Sequence, residues 1–312
     1  MRIFDSPNFN FIKWRWQAIG LSAFIILAGL VTVLVRGGLP LGVDFTGGTV
    51  VIVQFAQPVN EDAVRSALAS RSADAQVQRF GAVSENQIMI RLPLEGQDTT
   101  LDAASTAIEQ SLREGSVGEF TVINRELVSA TIGGDLRRKA IWAAIWAVGG
   151  ILAYIAFRFR VSFAVGAVVA TFHDILITIV FLTWFGYDLS LNVVAALLTI
   201  AGYSVNDTVV VFDRVRETQR VARRDGLETV VNRAVNQTLS RTVITAGTTL
   251  VAVLALFVFG GEVLRGFAFT MIVGVIAGTY STVFIASSVA IILSARAATA
   301  ATPADGRHKA RA

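Results

Sequence analysis

The residues of this sequence that could do chemistry sit where water should not reach. Asn206 and Asp207 lie inside Gly202–Arg214 (GYSVNDTVVVFDR), at the end of a long apolar run, and His173-Asp174 lie near the midpoint of another. A charged Asp well inside a bilayer costs on the order of 2.5–3.5 kcal/mol, so each acid must be paired, protonated or put to use. Arg241 opens the next apolar run, which returns in the opposite direction, and its side chain can reach about one turn inward toward Asp207. Thr245 follows four residues later on the same helical face, where its hydroxyl could bond either partner. A carboxyl group that alternates between an Arg-paired and an unpaired setting can load a proton from one side and release it to the other. Plainer assignments stay open beside this one. Arg241 fits a boundary residue, and Asp207 a structural carboxyl tied to Asn206 or to backbone. His173-Asp174 suits helix–helix glue as well as a proton relay, and Asp213 suits the end of a span among solvated arginines.

The elements that must position these groups are membrane spans. Of 312 residues 54% are hydrophobic and only 16% charged, against about a quarter charged in a soluble domain. Six apolar segments are each long enough to cross about 30 Å of hydrocarbon. The expected order is a cytoplasmic N-terminus over 1–15, a first span over 16–36, and a water-side domain over 37–138. Further spans follow at 139–157, 161–184, 189–212, 242–261 and 266–295, and a disordered cytoplasmic tail at 296–312. The first span reads as an anchor, since its apolar core is long for a signal peptide and no small-residue cleavage site follows. Arginines cluster after the second span (Arg158, Arg160) and between the fourth and fifth (Arg214 to Arg241). By the positive-inside bias both termini are cytoplasmic and the 37–138 segment is outside. Val230, Val231, Ala234 and Val235 recur at helical spacing, so 213–241 reads as an Arg-rich amphipathic segment on the cytoplasmic surface.

The segment outside has the order βαββαβ, with strands near Thr49–Phe55, Ala75–Phe80, Gln87–Leu92 and Phe120–Val128. The fold class is therefore an α-helical membrane protein of six transmembrane helices with a small α+β, ferredoxin-like periplasmic domain. Its sheet should have one helix-covered face and one open face, able to take an extended peptide or to pack on a partner. The glycine-rich Val43–Gly48 leads into a strand with no Lys behind it, so it reads as a turn rather than a phosphate cradle. With no cysteine and two histidines, thiol chemistry is excluded and a His-built metal site is disfavoured. No aromatics interleave with the arginines, which disfavours nucleic acid. Gly274 and Gly278 have the small-xxx-small spacing of close helix packing.

Four stretches together resemble one family: GVDFTGG (Gly42–Gly48), FHD (Phe172–Asp174), GYSVNDTVVVFDRVRE (Gly202–Glu217) and NQTLSRTVITAGTTL (Asn236–Leu250). They are similar to the SecF subunits of the SecD–SecF protein-export complexes, of the resistance–nodulation–division superfamily. The resemblance covers nearly the whole chain. It implies a multi-pass subunit of the bacterial inner membrane that pairs with SecD and assists the SecYEG channel, with YajC as a further partner. Such a subunit is not an enzyme; it uses the proton-motive force to promote late steps of preprotein export. Protons are then the coupling ion and no other cofactor is implied. Asp207 would carry the proton with Arg241 as its partner and Thr245 and Asn206 nearby; His173, Asp174 and Asp213 are secondary candidates for the proton path. Two rival functions remain, a proton-coupled small-molecule efflux unit and a passive scaffold of the translocon.

Overall fold

The structure is a computed structural model that describes residues 7–69, 75–80, 85–92, 101–128 and 130–300. Six helical stretches are long and apolar enough to cross a membrane: Ile12–Val35, Ile132–Arg158, Val161–Phe185, Leu191–Val221, Leu227–Phe259 and Leu264–Ala297. They are built from α1 (Arg15–Val35), α5 (Ala130–Arg158), α6 (Val161–Phe185), α7 (Leu191–Val221), α8 (Leu227–Phe259), α9 (Gly261–Ser281) and α10 (Ser287–Ala300). One π-helical turn, Thr282–Ala286, joins α9 to α10. The centre of the bundle is made by α6, α7 and the last span, while the windows of α1 and α5 are almost wholly uncovered. That division follows composition: Ala164, Ala167 and Ala170 on α6 and Ala286 and Ala290 on the last span allow close approach. Trp142, Ile145 and Trp146 are exposed on α5, an apolar surface of the kind a lipid-facing helix presents.

Between the first two spans lie α2 (Val43–Thr46), β1 (Gly48–Phe55), α3 (Glu61–Leu68), β2 (Gln76–Phe80), β3 (Gln87–Leu92), α4 (Leu101–Glu114) and β4 (Phe120–Val128). The strands form one antiparallel sheet in the order β2-β3-β1-β4. Val51 opposes Ile90 and Val53 opposes Ile88, and with Phe55 these side chains pack on Val64 and Leu68 of α3 and Ile108 and Leu112 of α4. Asn60 starts α3 by accepting from Asp62 N–H at 3.1 Å, the capping that Pro58-Val-Asn60 announces.

Three boundaries depart from the sequence reading. The segment 213–241 is not a separate surface helix: α7 runs on to Val221, α8 begins at Leu227, and the two form a hairpin. Val230, Val231, Ala234 and Val235 are buried against Val211, Phe212 and Val215 of α7. An apolar stripe with a protein partner at hand covers itself there instead of lying on lipid. The helix that carries the second span starts close to the end of the sheet, with α5 beginning at Ala130. The described part of the tail, through Ala300, continues α10; residues 301–312 lie outside the described residues.

Candidate functional site

Asp207 sits on α7 sixteen residues after Leu191, about 24 Å along the helix. It is 9% exposed. Its Oδ1 accepts from Thr242 Oγ1 of α8 at 2.7 Å, an approach set by α7 and α8 lying side by side as a hairpin. Thr282, first residue of the π-helical turn, lies beside the carboxyl but pairs with Thr208 Oγ1 at 2.9 Å. Asp207 Oδ2 is buried without a hydrogen-bond partner. A single π turn inside a helix commonly marks a functional position, and here it places Ser281 and Thr282 toward two different acids.

The structure does not join every residue that the sequence groups with Asp207. Arg241 acts on Asp207 through space, but no ion pair links them among the described residues. Its side chain instead lies on the exposed face of α8, with Thr245 and Thr248. The Thr245 hydroxyl donates to its own helix, to the carbonyls of Arg241 and Thr242 at 3.0 Å each. Asn206 is exposed on α7, in line with Thr199 and Gly202 at helical spacing. Two helices thus present one uncovered polar strip beside a buried acid. Asp213 lies six residues further along α7, paired with Arg158 at 2.9 Å and half exposed.

The second acid is held quite differently. Asp174 is wholly buried and both of its oxygens are bonded. Oδ1 lies 2.9 Å from His173 Nδ1; Oδ2 accepts from Ser281 Oγ at 2.8 Å and from Ser204 Oγ of α7. His173 Nε2 reaches Ser22 Oγ of α1 at 2.9 Å, and Tyr280, stacked on the imidazole, donates to Ala18 O at 2.7 Å. Four spans meet in this cluster. A Cβ on Gly278 would stand 3.2 Å from Ser204 Cβ and 3.6 Å from Asp174 Oδ2, and one on Gly274 would overlap Ile200. The small-residue spacing in the last span therefore lets the helix close over the acid. Sequence spacing singles out none of Ser22, Ser204, Thr242, Ser281 and Thr282 as a partner of either acid. Isolated hydroxyls in apolar runs carry no periodic signal, since each can bond its own helix backbone. Among the described residues, no group of three or more His, Cys, Asp or Glu side chains could hold a metal ion.

These features define a multi-pass helical membrane protein with an α+β insertion and two acids enclosed by its spans. Known proteins narrow the class. Residues 107–296 match the family described as "Protein export membrane protein SecD/SecF, C-terminal", and residues 33–59 match the SecD/SecF GG motif. The chain is 43% identical over 310 residues to the protein translocase subunit SecF of Rhodothermus marinus, covering 96% of this chain and 97% of that one. It is 37% identical over 286 residues to SecF of Escherichia coli O157:H7, covering 91% and 88%. The chain belongs to the SecF family of protein translocase subunits. Among solved structures, the translocon-associated membrane protein SecDF of Thermus thermophilus superposes with a TM-score of 0.83 at 34% identity over 95% of this chain. SecDF in its super-membrane-facing form gives a TM-score of 0.67 over 96%, also at 34% identity. In both cases this chain spans 40% of the SecDF chain.

Proposed function

We propose that this chain is the SecF half of a proton-driven export device of the inner membrane, working beside a SecD partner, SecYEG and YajC. Both termini face the cytoplasm and the sheet domain, of ferredoxin-like βαββαβ topology, faces the periplasm. Asp207 carries the proton. The observation that carries this reading is a buried acid with one unbonded oxygen beside an uncovered polar strip. A lipid-facing surface seldom displays Asn and Arg together in or near the hydrocarbon, because each is expensive to bury there. The strip of Asn206, Gly202, Arg241 and Thr245 therefore calls for covering by another polar transmembrane surface, and the spans of SecD supply one. Arg241 then alternates between Asp207 and the partner as the acid gains and loses its proton, while Thr242 holds the carboxyl in register. The chain makes and breaks no covalent bond of a substrate; protons are its coupling ion and preproteins its cargo. The proton gradient supplies about 2.3 kcal/mol per charge per 100 mV and about 1.4 kcal/mol per pH unit, enough to bias two arrangements of an outside domain.

Asp174 and His173 are, in this reading, the joint of four spans and not carriers, and Asp213, within α7, is held in an ion pair with Arg158. The test is Asp207→Asn in proteoliposomes holding the whole complex. Gradient-stimulated release of a preprotein should fall by an order of magnitude or more, while co-purification with SecD is unchanged. Release at the unsubstituted rate would leave a passive scaffold. Unchanged export together with an altered drug profile in a depleted strain would mark an efflux unit.

A further inference from the structure

The helix that carries Asp207 begins where the sheet domain touches the bundle. Leu189, in the short link between α6 and α7, donates its N–H to Pro40 O at 2.7 Å and accepts from Gly42 N–H at 2.8 Å. The fit is close: a Cβ on Gly42 would stand 3.0 Å from Leu189 O. Two residues on, Asp44 Oδ2 accepts from Leu191 N–H at 2.8 Å, so an acid at the root of the domain helps cap the first turn of α7. The glycine-rich stretch read from sequence as a plain turn is thus a strap tied to the start of the Asp207 helix.

A second, different contact lies beside the strap. Arg91 of β3 pairs with Asp188 of the same link, and both side chains are mostly buried. Burial pushes the Arg91 guanidinium below its ordinary value, and Asp44 nearby pulls it back up. Arg91 Nε and Asp188 Oδ2 are both left buried without a hydrogen bond, so the pair is incompletely compensated and its net contribution to stability is small. It nonetheless closes a surface. Val51, Val53 and Phe55 of β1 face the helices, while Val50 and Ile52 point the other way and are each only 6% exposed. They lie over a cleft of about 530 Å³ that Asp188, Asn192 and Gly266 help to line. The sheet face expected to be open is folded down on the bundle.

We infer that Arg91 and Asp188 form a breakable clasp that positions the sheet domain against the bundle. The strap from Pro40 to Asp44 stays fixed to the start of the Asp207 helix, and the clasp opens and closes as that helix responds to its proton. Opening swings Val50 and Ile52 off the bundle; closing covers them again. Backbone bonds suit the permanent element and an undercompensated ion pair suits the moving one. The inference rests on the proton-coupled reading above, and its test separates the two.

The chain has no cysteine, so introduced thiols report cleanly. In the full complex, Arg91→Cys combined with Asp188→Cys should form a disulfide that stops gradient-driven export on oxidation and restores it on reduction. Each single variant, oxidised alone, controls for loss of the charge. Independently, Ile52→Cys should react several-fold faster with a membrane-impermeant maleimide in energised vesicles than after the gradient is collapsed, and slowly in both when Asp207→Asn is added. A cross-linked pair that still exports, or Ile52→Cys labelling indifferent to the gradient while Asp207→Asn abolishes export, overturns the clasp and leaves the proton reading standing. Normal export by Asp207→Asn overturns the proton reading itself. Should no disulfide form, the labelling of Ile52→Cys decides.

Discussion

Two buried acids one helix apart live under opposite conditions. Asp174 spends every oxygen on partners from its own chain, and those partners tie α1, α6, α7 and α9 together. Asp207 has one hydroxyl donor, one unbonded oxygen, and an uncovered polar strip next to it. A carboxyl whose bonds are all made within one rigid core has little reason to change state, because any change strands several buried groups at once. A carboxyl that is half satisfied can change at small cost and pass the change to whatever covers it. Burial alone does not separate a joint from a carrier; the completeness of the bonding does.

That contrast can be broken by substitution, and the largest effect is expected at the joint. Asp174→Ala removes the acceptor for two serine hydroxyls and the imidazole. At about 1–3 kcal/mol for each buried hydroxyl left without its partner, the two serines alone predict a loss of roughly 2–6 kcal/mol. The variant should accumulate poorly and unfold at clearly lower temperature in detergent. Asp207→Ala, which strands only Thr242, should cost about 1 kcal/mol while losing export. Equal destabilisation of the two would erase the distinction.

Packing over the joint comes next. Gly274→Val drives a side chain into Ile200, and overpacking of this kind costs about 1–3 kcal/mol. A thermal melt of the purified chain reads it directly, and an unchanged midpoint would mean the helices are looser than their glycines imply. Thr242→Val removes the one hydroxyl on Asp207 and should cost about 1 kcal/mol, with export reduced but not abolished and Thr242→Ser restoring it. Smallest for the chain itself is Asn206→Leu, an exposed site where stability should move by no more than about 0.5 kcal/mol. Its effect should fall on association: less SecD retained on co-purification. Full retention would show that the polar strip is covered by something else.

Much of this molecule is written in local pattern. Apolar runs of about twenty residues call spans wherever they fall, because backbone groups in hydrocarbon must bond within their own segment. The alternation of Ile88, Ile90 and Leu92 calls a strand for the same local reason. Asp207 and Asp174 stand out simply because acids are costly in such runs. The ends of α7 and α8 were less readable, since an amphipathic stripe looks alike whether lipid or a neighbouring helix covers it, and only Val211, Phe212 and Val215 decide between them.

What the chain by itself determined is therefore the number of spans, the succession of strands and helices along the insertion and the identity of its unusual acids, all consequences of local pattern and solvent cost. Only the tertiary structure decided which acid is fully bonded and which is not, that Arg241 faces outward, and that Asp188 meets Arg91. Those outcomes depend on which of many scattered serines, threonines and glycines on different helices come within hydrogen-bond reach, a matter of packing that leaves no period in the sequence.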